Sequence, residues 1–174
     1  AGVRRGDRIA LVLPTGVGFF DAFFGALSIG AVPVPLYPPV RLGRLDEYHA
    51  STAAMLRACE ARLVLCDSRT RRVLGAAVLA ARPELGCRAV EGLLGGRGEE
   101  ASGPAQIAAC SPDDLAFIQF SSGSTLAPKP VRLSHRQVLA NVRAIHAALE
   151  AAWPERADDF VHVGVSWLPL YHDM

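Results

Sequence analysis

Short apolar runs alternate along this sequence with stretches of helical periodicity, and this alternation restricts the fold more than any other feature. Strand-like runs occupy Asp7 to Leu13, Val32 to Leu36, Arg62 to Cys66 and Leu115 to Phe120. They are rich in branched apolar side chains and are bounded by turn residues, as buried strands are. The pattern predicts an α/β fold with a largely parallel sheet flanked by helices. Ligands of such sheets bind beyond the carboxyl ends of the strands.

The predicted helices follow the strands and carry recognisable end signals. Apolar residues recur at helical spacing as far as Leu27, and Gly30 is placed to end that helix. Leu45 to Ala58 has helical composition, and Asp67 is placed to cap a helix that reaches about Ala81. We interpret the aromatic positions of the first helix as core packing: Phe19, Phe20, Phe23 and Phe24.

The longest predicted helix begins after Ser134, which with Gln137 matches the S-x-x-Q pattern of a capping box. One face of this helix is apolar, and we expect that face to pack along the sheet. Shorter segments predict strands at Arg88 to Val90 and Phe160 to Val165, and a surface connection from Gly92 to Pro104. The apolar face consists of Val138, Val142, Ile145 and Leu149.

Charge and cysteine usage exclude several classes of function. A net charge of +1, with arginines that are mostly scattered, does not provide the basic face that nucleic acid binding requires. The 4 cysteines include no C-x-x-C pair and do not alternate with histidine, so we expect neither a metal site nor a disulfide scaffold. Free thiols of this kind are typical of a cytoplasmic protein.

The most apolar window, Val17 to Leu36, approaches the length of a membrane span. It contains Asp21, Pro33 and Pro35, and strand signals interrupt its helical pattern, so we expect no membrane span. We also expect no signal peptide to precede this window. The first residue is not methionine, and Met174 follows a dense polar and aromatic cluster, so we expect a piece of something larger.

Residues 117–135, FIQFSSGSTLAPKPVRLSH, have the layout of a phosphate-binding loop. An apolar strand opens into hydroxyl side chains and a glycine, which lets backbone N–H groups approach phosphate oxygens. Lys129, the only lysine of the chain, supplies a compact positive charge. The alternative is a plain surface loop, because such clusters between strands are usually loops. The candidate phosphate ligands are Ser121, Ser122, Gly123, Ser124, Thr125 and Lys129.

The segment does not fit a Walker A loop, in which a glycine precedes the lysine and a hydroxyl follows it. It resembles instead the phosphate-binding signature of the adenylate-forming enzymes, approximately [ST]-[SG]-G-[ST]-T-G-x-P-K-G-V. Leu126 and Pro130 depart from this signature, since they stand where the family has glycine. Leucine adds a Cβ atom, and proline removes a backbone donor and fixes φ. The matching positions are Ser121, Ser122, Gly123, Ser124, Thr125, Pro128, Lys129 and Val131.

A second segment with aromatic and ionisable side chains, WLPLYHDM, follows the last predicted strand. Taken alone, His172 is weak evidence for catalysis, because a single histidine without a placed partner is more often a surface or hydrogen-bonded residue. The segment is similar to the next signature of adenylate-forming enzymes, in the form found in fatty acyl-AMP ligases. VPVPLYPP, residues 32–39, resembles the same subgroup. The resemblance therefore covers essentially the whole chain, in order.

The resemblance implies that residues 1–174 are part of a large N-terminal AMP-binding (adenylation) domain, cut before its later motifs and its C-terminal domain. Such enzymes use ATP and Mg²⁺ to convert a fatty acid into an acyl adenylate and pyrophosphate. The acyl group then passes to the phosphopantetheine thiol of an acyl carrier protein. Because the later motifs are missing, we expect the isolated chain to form no acyl adenylate.

Family positions also imply roles for individual residues. The serine-rich loop and Lys129 would hold the β- and γ-phosphates, with Lys129 counted among the catalytic residues. His172 would lie near the attacking carboxylate and the α-phosphate, as a catalytic and substrate-binding residue. Trp167 and Tyr171 would shape the acyl site, although core packing is the alternative for both.

Two other functions are compatible with the same residues. A fatty acyl-CoA synthetase would differ in using CoA as the acceptor instead of a carrier protein. A degenerate, non-catalytic remnant would keep the fold as a binding module, and Leu126 and Pro130 favour that alternative. Carrier-protein transfer would place the chain in a polyketide or lipopeptide assembly line.

Overall fold

A computed structural model describes residues 2–39, 42–94, 107–121, 128–152, 163–165 and 168–171 of the chain. Strands and helices alternate through most of this part, as the sequence predicts. The described strands are β1 (Arg8–Val12), β2 (Val32–Pro35), β3 (Ala61–Cys66), β4 (Cys87–Ala89), β5 (Leu115–Ser121) and β6 (Lys129–Ser134).

The helices connect these strands on both faces of the sheet. A short 3-10 helix, Leu42–Arg44, leads directly into the second α-helix. The α-helices are α1 (Val17–Ser28), α2 (Leu45–Ala58), α3 (Ser68–Val73), α4 (Gly75–Ala81), α5 (Val90–Leu94) and α6 (His135–Ala152).

The first four strands form one parallel sheet in the order β2-β1-β3-β4. β1 is central, and its register pairs Arg8 with Val32 on one side and Ile9 with Leu63 on the other. Every β1 residue from Ile9 to Val12 is buried, because helices cover both faces of a parallel sheet. The predicted α/β architecture with a parallel sheet flanked by helices is confirmed.

Two hydrophobic clusters cover the two faces of the sheet. Ala10, Val12 and Val64 belong to one cluster, which α2 completes with Met55 and Leu56. The alternate strand residues, including Leu11 and Leu63, belong to the other cluster with α1. This two-residue alternation along β1 and β3 is the ordinary consequence of strand geometry.

The end of α1 is fixed by a glycine in the left-handed region. Gly30 has φ of +70°, and its N–H donates to the carbonyl oxygen of Leu27 at 2.9 Å. The N–H of Ala31 donates to the carbonyl oxygen of Ala26, also at 2.9 Å, which completes a Schellman motif. The predicted helix-ending role of Gly30 is confirmed.

The cap at Asp67 is also confirmed, since its carboxylate accepts the N–H of Thr70 at 2.6 Å. The single helix predicted beyond it is divided at Leu74, which is fully buried between α3 and α4. The strand predicted at Arg88 to Val90 spans Cys87–Ala89 instead, and Val90 is the first residue of α5. α5 occupies the start of the predicted surface connection, and residues 95–104 of that connection lie outside the described part.

The interpretation of the aromatic positions of α1 as core packing is only partly right. Phe19 is buried at 5% exposure, whereas Phe20 and Phe24 are 48% and 60% exposed. The helix lies on the sheet through the face that carries Phe19 and Ala26. Phe20 and Phe24 point away from that face, so periodicity alone overestimated the core.

Helix α6 begins as predicted but does not pack as predicted. The N–H of Ser134 donates to Gln137 Oε1 at 2.9 Å, and the N–H of Gln137 donates to Ser134 Oγ at 3.3 Å, which is the predicted capping box. The expectation that its apolar face packs along the sheet is wrong in the described structure, where Val142 and Ile145 are 54% and 53% exposed. Its first turn is held by Arg136, whose side chain pairs with Asp113 at 2.8 Å.

Strands β5 and β6 form an antiparallel hairpin and are not hydrogen-bonded to the parallel sheet. The hairpin is attached through the buried face of β5, because Ile118 and Phe120 join the cluster that contains Val34. The last predicted strand, Phe160 to Val165, is described only at residues 163–165, which have no strand structure. In the described part of the chain, the four-stranded sheet is therefore parallel throughout, and the hairpin is a separate antiparallel sheet.

Substitution of Gly30 tests how strongly the end of α1 depends on the left-handed region. We expect Gly30→Ala to lower the free energy of unfolding by roughly 1–2 kcal/mol, because an L-residue is disfavoured there. An added Cβ would also lie 3.1 Å from Arg5 Cγ. The measurement is urea denaturation followed by circular dichroism.

Gly25→Ala is the matched control, since Gly25 lies inside the same helix and an added Cβ meets nothing within 4 Å. We expect this substitution to raise stability by about 0.5–1 kcal/mol. Equal effects of the two substitutions would contradict the role assigned to Gly30.

Candidate functional site

The candidate phosphate loop is closed at its base by the last ladder pair of the β5–β6 hairpin. Ser121 ends β5, Lys129 begins β6, and the two are register partners. Directly opposed residues of an antiparallel pair project on the same face, with Cβ atoms roughly 4.5–5.5 Å apart. The hydroxyl of Ser121 and the ammonium of Lys129 therefore start from adjacent positions on one face of the hairpin.

The face that carries this pair is opposite to the buried face of β5. Ala116, Ile118 and Phe120 are buried, and the intervening residues are half-buried. Gln119 and Ser121 consequently share the outer face, while packing of the inner face into the hydrophobic core fixes the strand. Lys129 is exposed, so its ammonium is available to a ligand.

Several predicted site residues lie outside the described part of the chain. The positions of these residues therefore remain predictions. Among the predicted site residues, the structure describes Ser121, Lys129 and Tyr171. The predicted residues outside the described ranges are Ser122, Gly123, Ser124, Thr125, Trp167 and His172.

The second predicted segment lies against the hairpin and the carboxyl end of β1. Gln119 Nε2 donates to the carbonyl oxygen of Tyr171 at 3.3 Å. The N–H of Leu170 donates to Thr15 Oγ1 at 3.1 Å, and Thr15 belongs to the turn between β1 and α1. Gln119 precedes Ser121 by two residues, so the described parts of the two segments are close neighbours.

An apolar groove of about 180 Å³ lies beside this junction. Aromatic rings form most of it, and Phe23 contacts Phe117 edge-to-face with ring centroids 5.7 Å apart. None of its described lining residues is ionisable. The groove is lined by Phe19, Phe20, Phe23, Phe24, Pro35, Phe117, Gln119 and Leu170.

Charge and apolar surface are thus separated at this edge of the molecule. Lys129 lies at the base of the loop. The groove begins at Gln119, on the same face of the hairpin, and at Leu170 of the second segment. A ligand with an anionic head and an apolar tail matches this arrangement, because each part meets the surface that its chemistry requires.

A larger cavity, of about 420 Å³, lies between the hairpin and the amino ends of β1 and β2. Arg5 and Arg8 line it, but each is already paired with a carboxylate: Arg5 with Asp114 at 2.6 Å, and Arg8 with Glu60. Ligands of parallel sheets bind at the opposite, carboxyl ends of the strands. We therefore do not assign the functional site to this cavity.

Within the part of the chain that the structure describes, no group of three or more His, Cys, Asp or Glu side chains is arranged to hold a metal ion. None of the described helices is both long enough and apolar enough to cross a bilayer.

Sequence reasoning missed Thr15 and Gln119, which hold the second segment in place. The two-residue alternation of β5 was a usable signal for Gln119, since it places this amide on the face opposite to Ile118 and Phe120. Thr15 carried no such signal, because its partner Leu170 is distant in sequence. A tertiary contact of this kind is not encoded in local periodicity.

The hydrogen bond between Leu170 and Thr15 can be tested by amide exchange. We expect Thr15→Val to accelerate hydrogen exchange at the Leu170 amide roughly two- to tenfold, because the valine keeps the shape and removes the acceptor. Thr15→Ser retains the hydroxyl and is the control. Unchanged protection in Thr15→Val would show that the contact does not hold the segment.

Comparison with known proteins gives a consistent result. The sequence profile of a family described as AMP-binding enzyme matches residues 1–174. A protein of Caulobacter vibrioides (strain NA1000 / CB15N), provisionally named acyl-CoA synthetase, is 33% identical over 174 residues, which are 99% of this chain and 28% of that protein. The long-chain-fatty-acid–AMP ligase FadD32 of Mycobacterium marinum (strain ATCC BAA-535 / M) is 31% identical over 97% of this chain and 25% of that ligase.

A solved structure supports the same relationship. It comes from structural and functional studies of fatty acyl-adenylate ligases from E. coli and L. pneumophila, and it superposes with a TM-score of 0.77 at 31% sequence identity. The superposition covers 98% of this chain and 29% of that chain. The chain thus spans less than a third of the length of each of these three proteins.

Proposed function

Because this chain belongs to the AMP-binding enzyme family, we propose that it supplies the phosphate-binding part of an enzyme that activates a fatty acid with ATP. The products would be an acyl adenylate and pyrophosphate. The observation that carries the proposal is the pairing of Ser121 with Lys129 at the base of the hydroxyl-rich loop. This pairing puts a hydroxyl donor and an ammonium cation at the base of a loop whose residue types suit phosphate binding.

The proposed chemistry assigns a role to each part of the loop. The substrate carboxylate attacks the α-phosphorus of ATP, the bond to the bridging oxygen breaks, and pyrophosphate leaves with the negative charge. Donors fixed beforehand around the leaving group stabilise that charge. Lys129 would provide the cation, and the donors would come from Ser121, Ser122, Gly123, Ser124 and Thr125.

Magnesium would accompany the nucleotide in this proposal. Mg²⁺ is a hard cation that keeps several waters and is commonly bound through substrate phosphates and one or two carboxylates. It would neutralise charge on the β- and γ-phosphates beside Lys129. The described residues need not form a complete metal cage for that role.

The acyl substrate is proposed from the second segment and the groove. His172 would lie near the attacking carboxylate, and Trp167 and Tyr171 would form the wall of the acyl site. The described backbone of Tyr171 lies against Gln119, next to the aromatic groove. Burying an alkyl chain there would stabilise the complex by about 0.8 kcal/mol per methylene, which favours a fatty acid over a small polar acid.

The acceptor is proposed to be the phosphopantetheine thiol of an acyl carrier protein in the cytoplasm, as in polyketide assembly. CoA is the second candidate, and the relative from Caulobacter vibrioides that is provisionally named acyl-CoA synthetase favours it. FadD32 of Mycobacterium marinum, which is named an AMP ligase, favours the first.

A non-catalytic binding module is the alternative from a different class. Pro130 does not by itself favour it, because this residue pairs in register with Phe120 inside an intact ladder. In the described structure β6 has one neighbouring strand, and proline is tolerated in such an edge strand. Leu126 lies outside the described part, so its effect must be measured.

Binding of pyrophosphate by the 174-residue chain tests the proposal. We expect Lys129→Ala to weaken pyrophosphate binding roughly 10- to 100-fold, because a charge-assisted interaction is lost. Lys129→Arg should retain part of the affinity. The measurement is isothermal titration calorimetry with magnesium pyrophosphate at constant ionic strength.

Arg132→Ala is the matched control, since Arg132 is another exposed base of β6 but lies three residues along, on the other face of the strand. We expect it to change pyrophosphate affinity little. If Lys129→Ala and Arg132→Ala weaken binding equally, the interaction is nonspecific and the proposed site is wrong.

The double substitution Leu126→Gly/Pro130→Gly separates the enzyme from the binding module. Binding by the unmodified chain supports a functional phosphate loop. Binding only after the two glycines are introduced would favour the degenerate module. If neither chain binds pyrophosphate, the proposed phosphate site is refuted.

A further inference from the structure

Two of the free cysteines lie in contact on neighbouring strands. Cys66 ends β3 and Cys87 begins β4, and their Sγ atoms are 3.4 Å apart. Cys66 is completely buried, whereas Cys87 is half-buried. The contact therefore joins one thiol that solvent does not reach to one that it does.

The two thiols differ in their hydrogen bonds and in their pKa. Cys66 Sγ also lies 3.7 Å from the carbonyl oxygen of Arg88, which can only accept a hydrogen bond. Either sulfur can donate in the 3.4 Å contact, because the single hydrogen of Cys66 can go to this oxygen or to Cys87. When Cys87 is a thiolate it can only accept, and Cys66 is then the donor. This bond lowers the pKa of Cys87, and the guanidinium of Arg71 lowers it further. The same bond and burial raise the pKa of Cys66.

The arrangement places a nucleophile beside a resolving thiol. A thiolate, and not a thiol, attacks oxidants, and redox-sensitive cysteines combine low pKa with access and a neighbouring cysteine. We propose that Cys66 and Cys87 form a redox-active dithiol, which a peroxide oxidises to an intramolecular disulfide between β3 and β4. This site is independent of the proposed adenylation chemistry.

The proposed oxidation proceeds in two balanced steps. The Cys87 thiolate attacks one oxygen of the peroxide, the O–O bond breaks, and hydroxide leaves, which produces a sulfenic acid on Cys87. The Cys66 sulfur then attacks the Cys87 sulfur, the S–O bond breaks, and water leaves with the Cys66 proton. The two thiols lose two electrons in total, and the peroxide accepts them.

Strand geometry permits this bond with a small movement. Cys87 is the register partner of Val64, so Cys66 lies diagonally across the strand pair on the same face. An S–S bond is roughly 2.0 Å long, so the two Sγ atoms, which are 3.4 Å apart, must move closer. β4 has three residues, and in the described sheet it is paired on one side only, so it can approach β3.

The other two cysteines provide internal controls. Cys59 is buried, and burial raises its pKa to about 11, so it should react slowly. Cys110 is exposed. If exposure alone decides which thiol reacts, the oxidant will modify Cys110. If the contact between the two thiols decides, it will cross-link Cys66 to Cys87.

The test is treatment of the folded chain with hydrogen peroxide, followed by alkylation, trypsin and mass spectrometry. Trypsin places Cys66 on the peptide of residues 63–69 and Cys87 on residues 73–88, because the bond between Arg82 and Pro83 resists cleavage. We expect these two peptides to be recovered as one cross-linked species, with loss of two of the 4 thiols, and to separate after reduction by dithiothreitol.

Variants distinguish the attacking cysteine from the resolving one. In Cys66→Ala we expect dimedone to trap a sulfenic acid on Cys87, at least tenfold more than in the unmodified chain. Cys87→Ser should abolish the cross-link and leave Cys66 unmodified, and because Cys87 is only half-buried this variant tests the site even if Cys66→Ala does not fold. The proposal is overturned if Cys110 is oxidised while Cys66 and Cys87 remain free thiols.

Discussion

Burial of the inner face of β5 is the interaction on which the arrangement of the candidate site depends. Ile118 and Phe120 pack into the same cluster as Val34 and Met55, although β5 shares no hydrogen bonds with the parallel sheet. Side-chain packing therefore positions the hairpin on the parallel sheet without a backbone ladder between the two. Since side chains alternate along a strand, the same packing turns Gln119 and Ser121 to the opposite face.

The hairpin and the parallel sheet contribute different properties to that edge of the molecule. The sheet provides a rigid support, with β1 buried between two neighbours, and its carboxyl end provides Thr15. The hairpin provides the hydroxyl and ammonium groups at the base of the loop. Leu170 and Tyr171 connect the two, because one contacts Thr15 and the other contacts Gln119.

Local chemistry predicted much of the fold. The strands were visible because both faces of a parallel sheet are covered, which makes runs such as IALVL, residues 9–13, continuously apolar. The caps at Asp67 and Ser134 were visible because a side chain and a backbone N–H three residues away form the bond. Each of these features depends on neighbours in the sequence.

The errors concern surfaces whose partners are distant in the sequence. Periodicity showed that α6 has an apolar face, but it could not show what lies against Val142 and Ile145. The same limit applies to Phe20 and Phe24, and to the hydrogen bond of Thr15. The candidate site divides in the same way: its residue types were predictable from composition, whereas the contact of Tyr171 with Gln119 required the tertiary structure.

The ladder pair at the base of the loop has a consequence for how this sequence can vary. Ser121 and Lys129 are fixed by the pairing of β5 with β6, so an insertion or deletion between them need not change the register of either strand. A one-residue slip of β6 would instead turn Lys129 to the opposite face. The loop can therefore accumulate changes, such as Leu126 in place of glycine, while the frame that orients it is inherited unchanged.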